Sequence, residues 1–140
     1  MSEITDQIWI GSYGDTSNDR LLDERQITQI LCCAEEIPLR VGFPYSQKYE
    51  GHKVPLIDDI ADEKTKAYFL EGATVLDTWV NNGKNVIVHC FAGISRSVSV
   101  VITYFMIYKG WPYDLAYNYI KIRRPRMNPH PDFIPILKSI

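Results

Sequence analysis

Cys90 and Arg96 stand six positions apart in the run His89-Cys90-Phe91-Ala92-Gly93-Ile94-Ser95-Arg96-Ser97. These residue types at this spacing suit attack on a phosphate by a thiolate. A free cysteine is mostly thiol near neutral pH, but a helix N-terminus and a neighbouring cation lower such a group into the range ~3.5–7.5. Cys90 is then the candidate nucleophile, forming a phosphocysteine. Arg96 offers a planar fork that meets two phosphate oxygens, which lysine cannot imitate. The backbone N–H groups of Phe91, Ala92, Gly93, Ile94, Ser95 and Arg96 form a nest for the remaining oxygens. Ser97 is placed to donate to the sulfur and make it a better leaving group, and His89 to act as a hydrogen-bonding scaffold rather than a proton carrier. Taken singly, a cysteine at a strand end is ordinarily a small core residue. Five fixed positions of this kind coincide by chance on the order of once in a million starting points or less.

The departing alcohol or phenol needs a proton, so a carboxylic acid must face the thiolate. Asp58, Asp59, Asp62 and Glu63 lie on a polar segment that could provide it. The elements that must position these groups are legible nearby. Val86-Ile87-Val88 is a β-branched run expected to form a buried strand through His89. Val98 to Tyr108 is a long apolar stretch stopped by Lys109-Gly110, expected as a buried helix over Ser97–Lys109. Further strands are expected at Gln7 to Ile10, Gln26 to Cys33 and His52 to Ile57. Ser12 to Asn18 reads as a polar turn. Helices are expected at Asp19 to Glu24, Thr65 to Asn81, Tyr113–Arg123 and Asp132–Ser139, with a loop from Pro38 to Gln47. This alternation implies an α/β fold: a central, mostly parallel sheet of about five strands flanked by helices.

The pattern resembles the cysteine-dependent protein tyrosine phosphatase superfamily, in its dual-specificity branch. Beyond the phosphate loop, the resemblance rests on Ile8-Trp9-Ile10-Gly11-Ser12, the stretch from Leu21 to Leu31, Ala67-Tyr68-Phe69, Arg123-Arg124-Pro125, and Pro129 with Phe133. It covers roughly residues 4 to 140 and implies one catalytic domain over residues 1–140. In that family the acid falls three residues after a proline and about thirty before the cysteine. Pro55-Leu56-Ile57-Asp58 fits the first spacing, and Asp58 lies 32 positions before Cys90. Asp59, at 31, is the alternative. The same resemblance implies hydrolysis of phosphotyrosine and phosphoserine or phosphothreonine on proteins, kinases among them. A loop without lysine disfavours phosphoinositides, and Ser97-Val98 departs from the Thr-Gly of the RNA-triphosphatase relatives. The family's Pro-Asn before the closing aromatic is here Pro129-His130, which puts the local loop support in question.

An apolar content of 46% and a charged content of 23% suit an ordinary globule. With a net charge of −2 and no long apolar run, neither a nucleic-acid nor a membrane partner is expected. No signal peptide or lipidation box is recognisable, so the cytoplasm, or the nucleus, is expected; the chain is expected to be a monomer. His52, His89 and His130 lack ligand spacing, so neither metal nor cofactor is expected. Cys32 and Cys33 read as strand packing, with a thiol that resolves oxidised Cys90 as the sharper alternative. Lys121, Arg123, Arg124 and Arg126 form a basic cluster, either a solvated helix end or a patch that attracts acidic phosphopeptides.

Overall fold

The computed structural model describes residues 1–39, 41 and 47–140. In chain order the elements are β1 (Ser2–Glu3), β2 (Ile8–Gly11), a 3-10 turn (Gly14–Ser17), α1 (Asp19–Glu24), β3 (Ile27–Cys32) and β4 (Glu50–Lys53). There follow α2 (Thr65–Asn81), β5 (Asn85–His89), α3 (Arg96–Tyr108), α4 (Tyr113–Arg123) and α5 (Ile134–Lys138). The strands form one sheet in the order β1-β2-β5-β3-β4. β1 runs antiparallel to β2, and the other three pairings are parallel.

The apolar run in β5 accounts for its central place. A strand covered on both faces needs apolar side chains at every position, and Val86, Ile87 and Val88 are all fully buried. Alternation sends Val86 and Val88 into the larger core beneath α2 to α5, together with Ile8 and Ile10 of β2. Ile87 points the other way, into a smaller core with Trp9, Leu22 of α1, Ile27, Ile30 and Tyr49. A register irregularity between Ile27 and Gln29 lets Ile27 and Ile30, three apart, share that face. α3 runs through the larger core with every residue from Arg96 to Phe105 buried. It meets α2 closely: a Cβ on Gly72 would lie 2.8 Å from Val100 Cγ1. Among the described residues, no helix is long and apolar enough to cross a membrane.

α1, α2 and α4 begin and end where the sequence places them, because their stops are local. The Asn18 side chain accepts the Leu21 N–H at 3.1 Å at the start of α1, and Gly83 adopts φ +75° beyond α2. α5 is shorter than its expected span by about a residue or two at each end, as helix ends commonly are. β1 has no pattern long enough to be read from sequence. The expected strand from His52 to Ile57 is displaced: the ladder spans Glu50–Lys53 and stops as Pro55 approaches. Proline offers no N–H to a ladder, and Leu56 N–H turns back to Val54 O at 2.8 Å. Of the expected loop from Pro38 to Gln47, residues 40 and 42–46 lie outside the described residues.

Candidate active site

β5 delivers Cys90 to the C-terminal edge of the sheet, and α3 begins six residues later at Arg96. The intervening carbonyls are all turned away from the loop's interior and bonded there. His89 Nδ1 lies 3.0 Å from Cys90 O, and Tyr13 N–H donates to Phe91 O at 2.9 Å. Arg124 donates to Ala92 O at 3.3 Å and to Gly93 O at 2.6 Å. Asn128 N–H donates to Ile94 O at 2.8 Å, and Ser99 N–H to Ser95 O at 2.9 Å. With the carbonyls bonded outward, the N–H groups of Gly93, Ile94 and Ser97 are turned toward the Cys90 sulfur. Gly93 makes this turn possible, with φ +69°. A Cβ there would lie 2.5 Å from Gly11 O and 2.7 Å from Arg124 Nη2.

The Cys90 sulfur sits 3.3 Å from Ser97 Oγ. Burial alone would push this thiol up, but the Ser97 hydroxyl and the N–H groups of Ser97, Gly93 and Ile94 outweigh it. The net result is a thiol held below its ordinary range. His89 is buried, and that burial lowers its pKa and favours the neutral ring. Its imidazole stacks on Tyr13 with centroids 6.3 Å apart. In the neutral ring, Nδ1–H is the donor that suits Cys90 O.

Arg96 is only 2% exposed although it carries a full charge. Both terminal nitrogens engage Glu36, with Nη2 to Oε2 at 2.9 Å and Nη1 to Oε1, and Nη1 also donates to Leu56 O at 3.0 Å. The guanidinium in turn holds the Glu36 carboxyl below the usual carboxylate range. Among the described residues no group takes a hydrogen bond from Arg96 Nε, although the atom is buried. The nearest carboxylate oxygen to it is Asp58 Oδ1, at 3.8 Å. A buried, unsatisfied donor of a charged group is costly. An oxyanion above Cys90 would satisfy it.

A pocket of about 290 Å³ opens over the thiol, lined by Asp58, Asp59, Phe91, Arg96, Asn128 and His130 among others. Both candidate acids therefore reach it, from an exposed turn. Asp58 leans toward Arg96, whereas Asp59, at φ +59°, leans toward His130 Nε2 at 3.7 Å. Asp62 is turned to another task, since its carboxylate accepts the Lys64 N–H at 2.8 Å near the start of α2. Among the described residues, no group of three or more His, Cys, Asp or Glu could hold a metal ion.

The packing changes two expectations. Arg124 is not part of a surface patch. It is 5% exposed, braces the phosphate loop and ties it to Ser2 Oγ at 2.9 Å. Its neighbours are also engaged: Arg123 lies 3.5 Å over the Tyr119 ring, and Lys121 donates to Met127 O at 3.0 Å. The His130 substitution does not remove loop support, because the backbone N–H of His130 donates to Ser95 Oγ at 2.9 Å. Glu36 was not singled out from sequence at all. Its one signal was position, an acid just past the end of a strand expected beside the catalytic one. Cys32 and Cys33 are fully buried, and burial followed by the nearby Cys90 pushes the Cys33 thiol well up.

Residues 8–140 match the family described as dual specificity phosphatase, catalytic domain. The chain is similar to dual specificity protein phosphatase 1B of Arabidopsis thaliana, with 32% identity over 99% of this chain and 80% of that protein. Among solved structures, it is similar to that of DUSP15 at a TM-score of 0.84 and 29% identity, covering 99% of this chain and 85% of the other. It is also similar to a human tyrosine phosphatase-like serine/threonine/tyrosine-interacting protein. That match has a TM-score of 0.86 and 28% identity, and it covers 99% and 93% of the two chains.

Proposed function

The chain belongs to the dual specificity phosphatase family and acts as a protein phosphatase through a phosphocysteine, and on that premise we propose which residue carries each step. The Cys90 thiolate attacks phosphorus while the bond from phosphorus to the ester oxygen breaks. Asp58, as the carboxylic acid, gives that oxygen its proton. Arg96 holds the equatorial oxygens through Nε and the free edge of Nη2, together with the loop N–H groups. In the second step the Asp58 carboxylate takes a proton from water. The water oxygen bonds to phosphorus, and the sulfur leaves as a thiolate that accepts the Ser97 hydroxyl's hydrogen bond. His89 and Arg124 hold the loop's carbonyls outward throughout.

The observation that carries this reading is the buried Arg96 Nε, unsatisfied among the described residues, beside a thiol that the Ser97 hydroxyl and the N–H groups of Ser97, Gly93 and Ile94 hold below its ordinary range. Asp58 is preferred to Asp59 because its carboxylate stands beside Arg96, where phosphate would dock. The lysine-free loop and an open pocket with exposed Phe91 favour single phosphate esters on protein side chains, aromatic or aliphatic, kinases included. A thiolate nucleophile with three free cysteines suits the reducing cytoplasm or nucleus.

Hydrolysis of an aryl phosphate by wild type and Cys90→Ser tests the assignment. Activity lost on the order of 10⁴-fold or more in the variant is expected, as for removal of other nucleophiles. An inert wild type, or equal rates in both, would falsify it.

A further inference from the structure

Two adjacent carboxylates serve one pocket, and they diverge. Asp58 Oδ1 points toward Arg96 Nε at 3.8 Å, and Asp59 Oδ1 toward His130 Nε2 at 3.7 Å. The left-handed backbone at Asp59 is what splays them. Chemistry needs one acid at the ester oxygen, which leaves the second without a catalytic step.

His130 is well prepared to take that second carboxylate. Its backbone is pinned to the phosphate loop through Ser95 Oγ. Its ring packs edge-on against Phe133, with centroids 5.9 Å apart. Its Nδ1 accepts the Asp132 N–H at 3.1 Å, so in the neutral ring the proton sits on Nε2, the atom facing Asp59. The Asp132 carboxylate lies on the Nδ1 side, at 3.9 Å, and does not compete for Nε2. By contrast, the segment carrying Asp58 is exposed at Ile57, Asp58, Asp59 and Ile60. It has few bonds of its own to fix the acid over the thiol.

We propose that His130 and Asp59 form a clasp that closes the acid-bearing turn onto the phosphate loop, making both of them positioning residues for Asp58. The inference rests on Asp58 being the acid. At 3.7 Å the two groups stand just beyond hydrogen-bond distance, and the clasp shortens to a hydrogen bond when phosphate occupies the pocket, as catalytic contacts commonly do.

The full chain, as wild type, His130→Ala, His130→Gln, Asp59→Ala and the double alanine variant, tests this on two aryl phosphates. One has a strongly acidic leaving phenol and the other a weakly acidic one. A displaced acid matters only where the leaving group needs a proton. His130→Ala and Asp59→Ala should therefore each lower kcat about fivefold on the weakly acidic phenol, a size typical of one exposed charged contact. The rate on the acidic phenol should fall much less than that on the weakly acidic one. The double variant should lose no more than either single one, and His130→Gln, which keeps a donor, should recover part of the rate. Amide hydrogen exchange over residues 57–62, read with bound vanadate, should quicken about threefold in both alanine variants, in keeping with a weak local contact. Equal losses on both phenols, additive losses, a change confined to KM, or unchanged exchange would each overturn the clasp. If wild type hydrolyses neither ester, the Cys90 assignment falls, and the exchange measurement alone decides the clasp.

Discussion

The phosphate loop and the acid-bearing turn meet over one pocket but are built in opposite ways. From Cys90 to Ser95 every carbonyl is bonded outward, by His89, Tyr13, Arg124, Asn128 and Ser99. The turn at Asp58 and Asp59 is exposed and, among the described residues, meets Arg96 and His130 at 3.7 to 3.8 Å. The loop must present donors to the same tetrahedral oxygens in both steps, so rigidity costs it nothing. The acid must release a proton to one oxygen and later take one from another, so it needs room to adjust. A pre-organised binding loop thus faces an exposed, lightly held turn that carries the proposed proton donor.

Arg96→Lys attacks the rigid side at its strongest point. Lysine keeps the charge but neither spans Glu36 nor offers Nε to phosphate. A loss in kcat/KM on the order of 10³-fold or more is expected on every ester, as two charge-assisted hydrogen bonds are forfeited. Asp58→Asn attacks the adaptable side, and its effect should be selective: about 10²-fold in kcat for a weakly acidic leaving group, and far less for an activated phenol. Uniform losses across a leaving-group series would erase the distinction between the two regions.

Gly93→Ala tests whether the loop's rigidity is built by packing. A Cβ would strike Gly11 O and Arg124 at a positive φ, so roughly 2–3 kcal/mol of stability should be lost, measured by denaturant unfolding. Ser97→Ala makes the finest change. The Ser97 hydroxyl favours the thiolate, so removing it raises the Cys90 pKa. The acidic limb of kcat/KM, which rises as the thiol ionises, should therefore move to higher pH. Turnover near neutrality should drop about tenfold, the worth of one hydrogen bond to a charged group. A limb that stays in place would mean that the loop N–H groups alone set the thiol.

Local chemistry made much of this readable in advance. The β-branched run before Cys90, the glycine inside the loop and the apolar stretch after Arg96 each act on their nearest neighbours in sequence. So do Asn18 and the glycine that stops α2. Glu36, Arg124 and the Leu56 carbonyl belong to another class. Each matters through a partner 31 to 60 positions away. No periodicity announces such a contact. Arg124 is the sharpest case, since as a letter in a basic run it reads as solvent-facing, yet burial and two carbonyls decide otherwise. The displaced β4 shows the reverse: the stretch from His52 to Ile57 suits a strand locally, yet Pro55 ends the ladder and the Leu56 carbonyl meets Arg96.

Sequence alone determined the local frame: a cysteine, a glycine, an arginine and a serine spaced for a strand–loop–helix turn, which β5 and α3 provide. These are short-range consequences of backbone geometry and side-chain type, and they survive without knowledge of the rest of the chain. Tertiary structure alone decided what holds Arg96, what holds the loop's carbonyls, and how two neighbouring aspartates divide their attention between Arg96 and His130. Those outcomes depend on which distant groups share the same few ångströms once the sheet order β1-β2-β5-β3-β4 has closed. Burial then turns each such proximity into a strong interaction, because unpaired polar groups removed from water are costly.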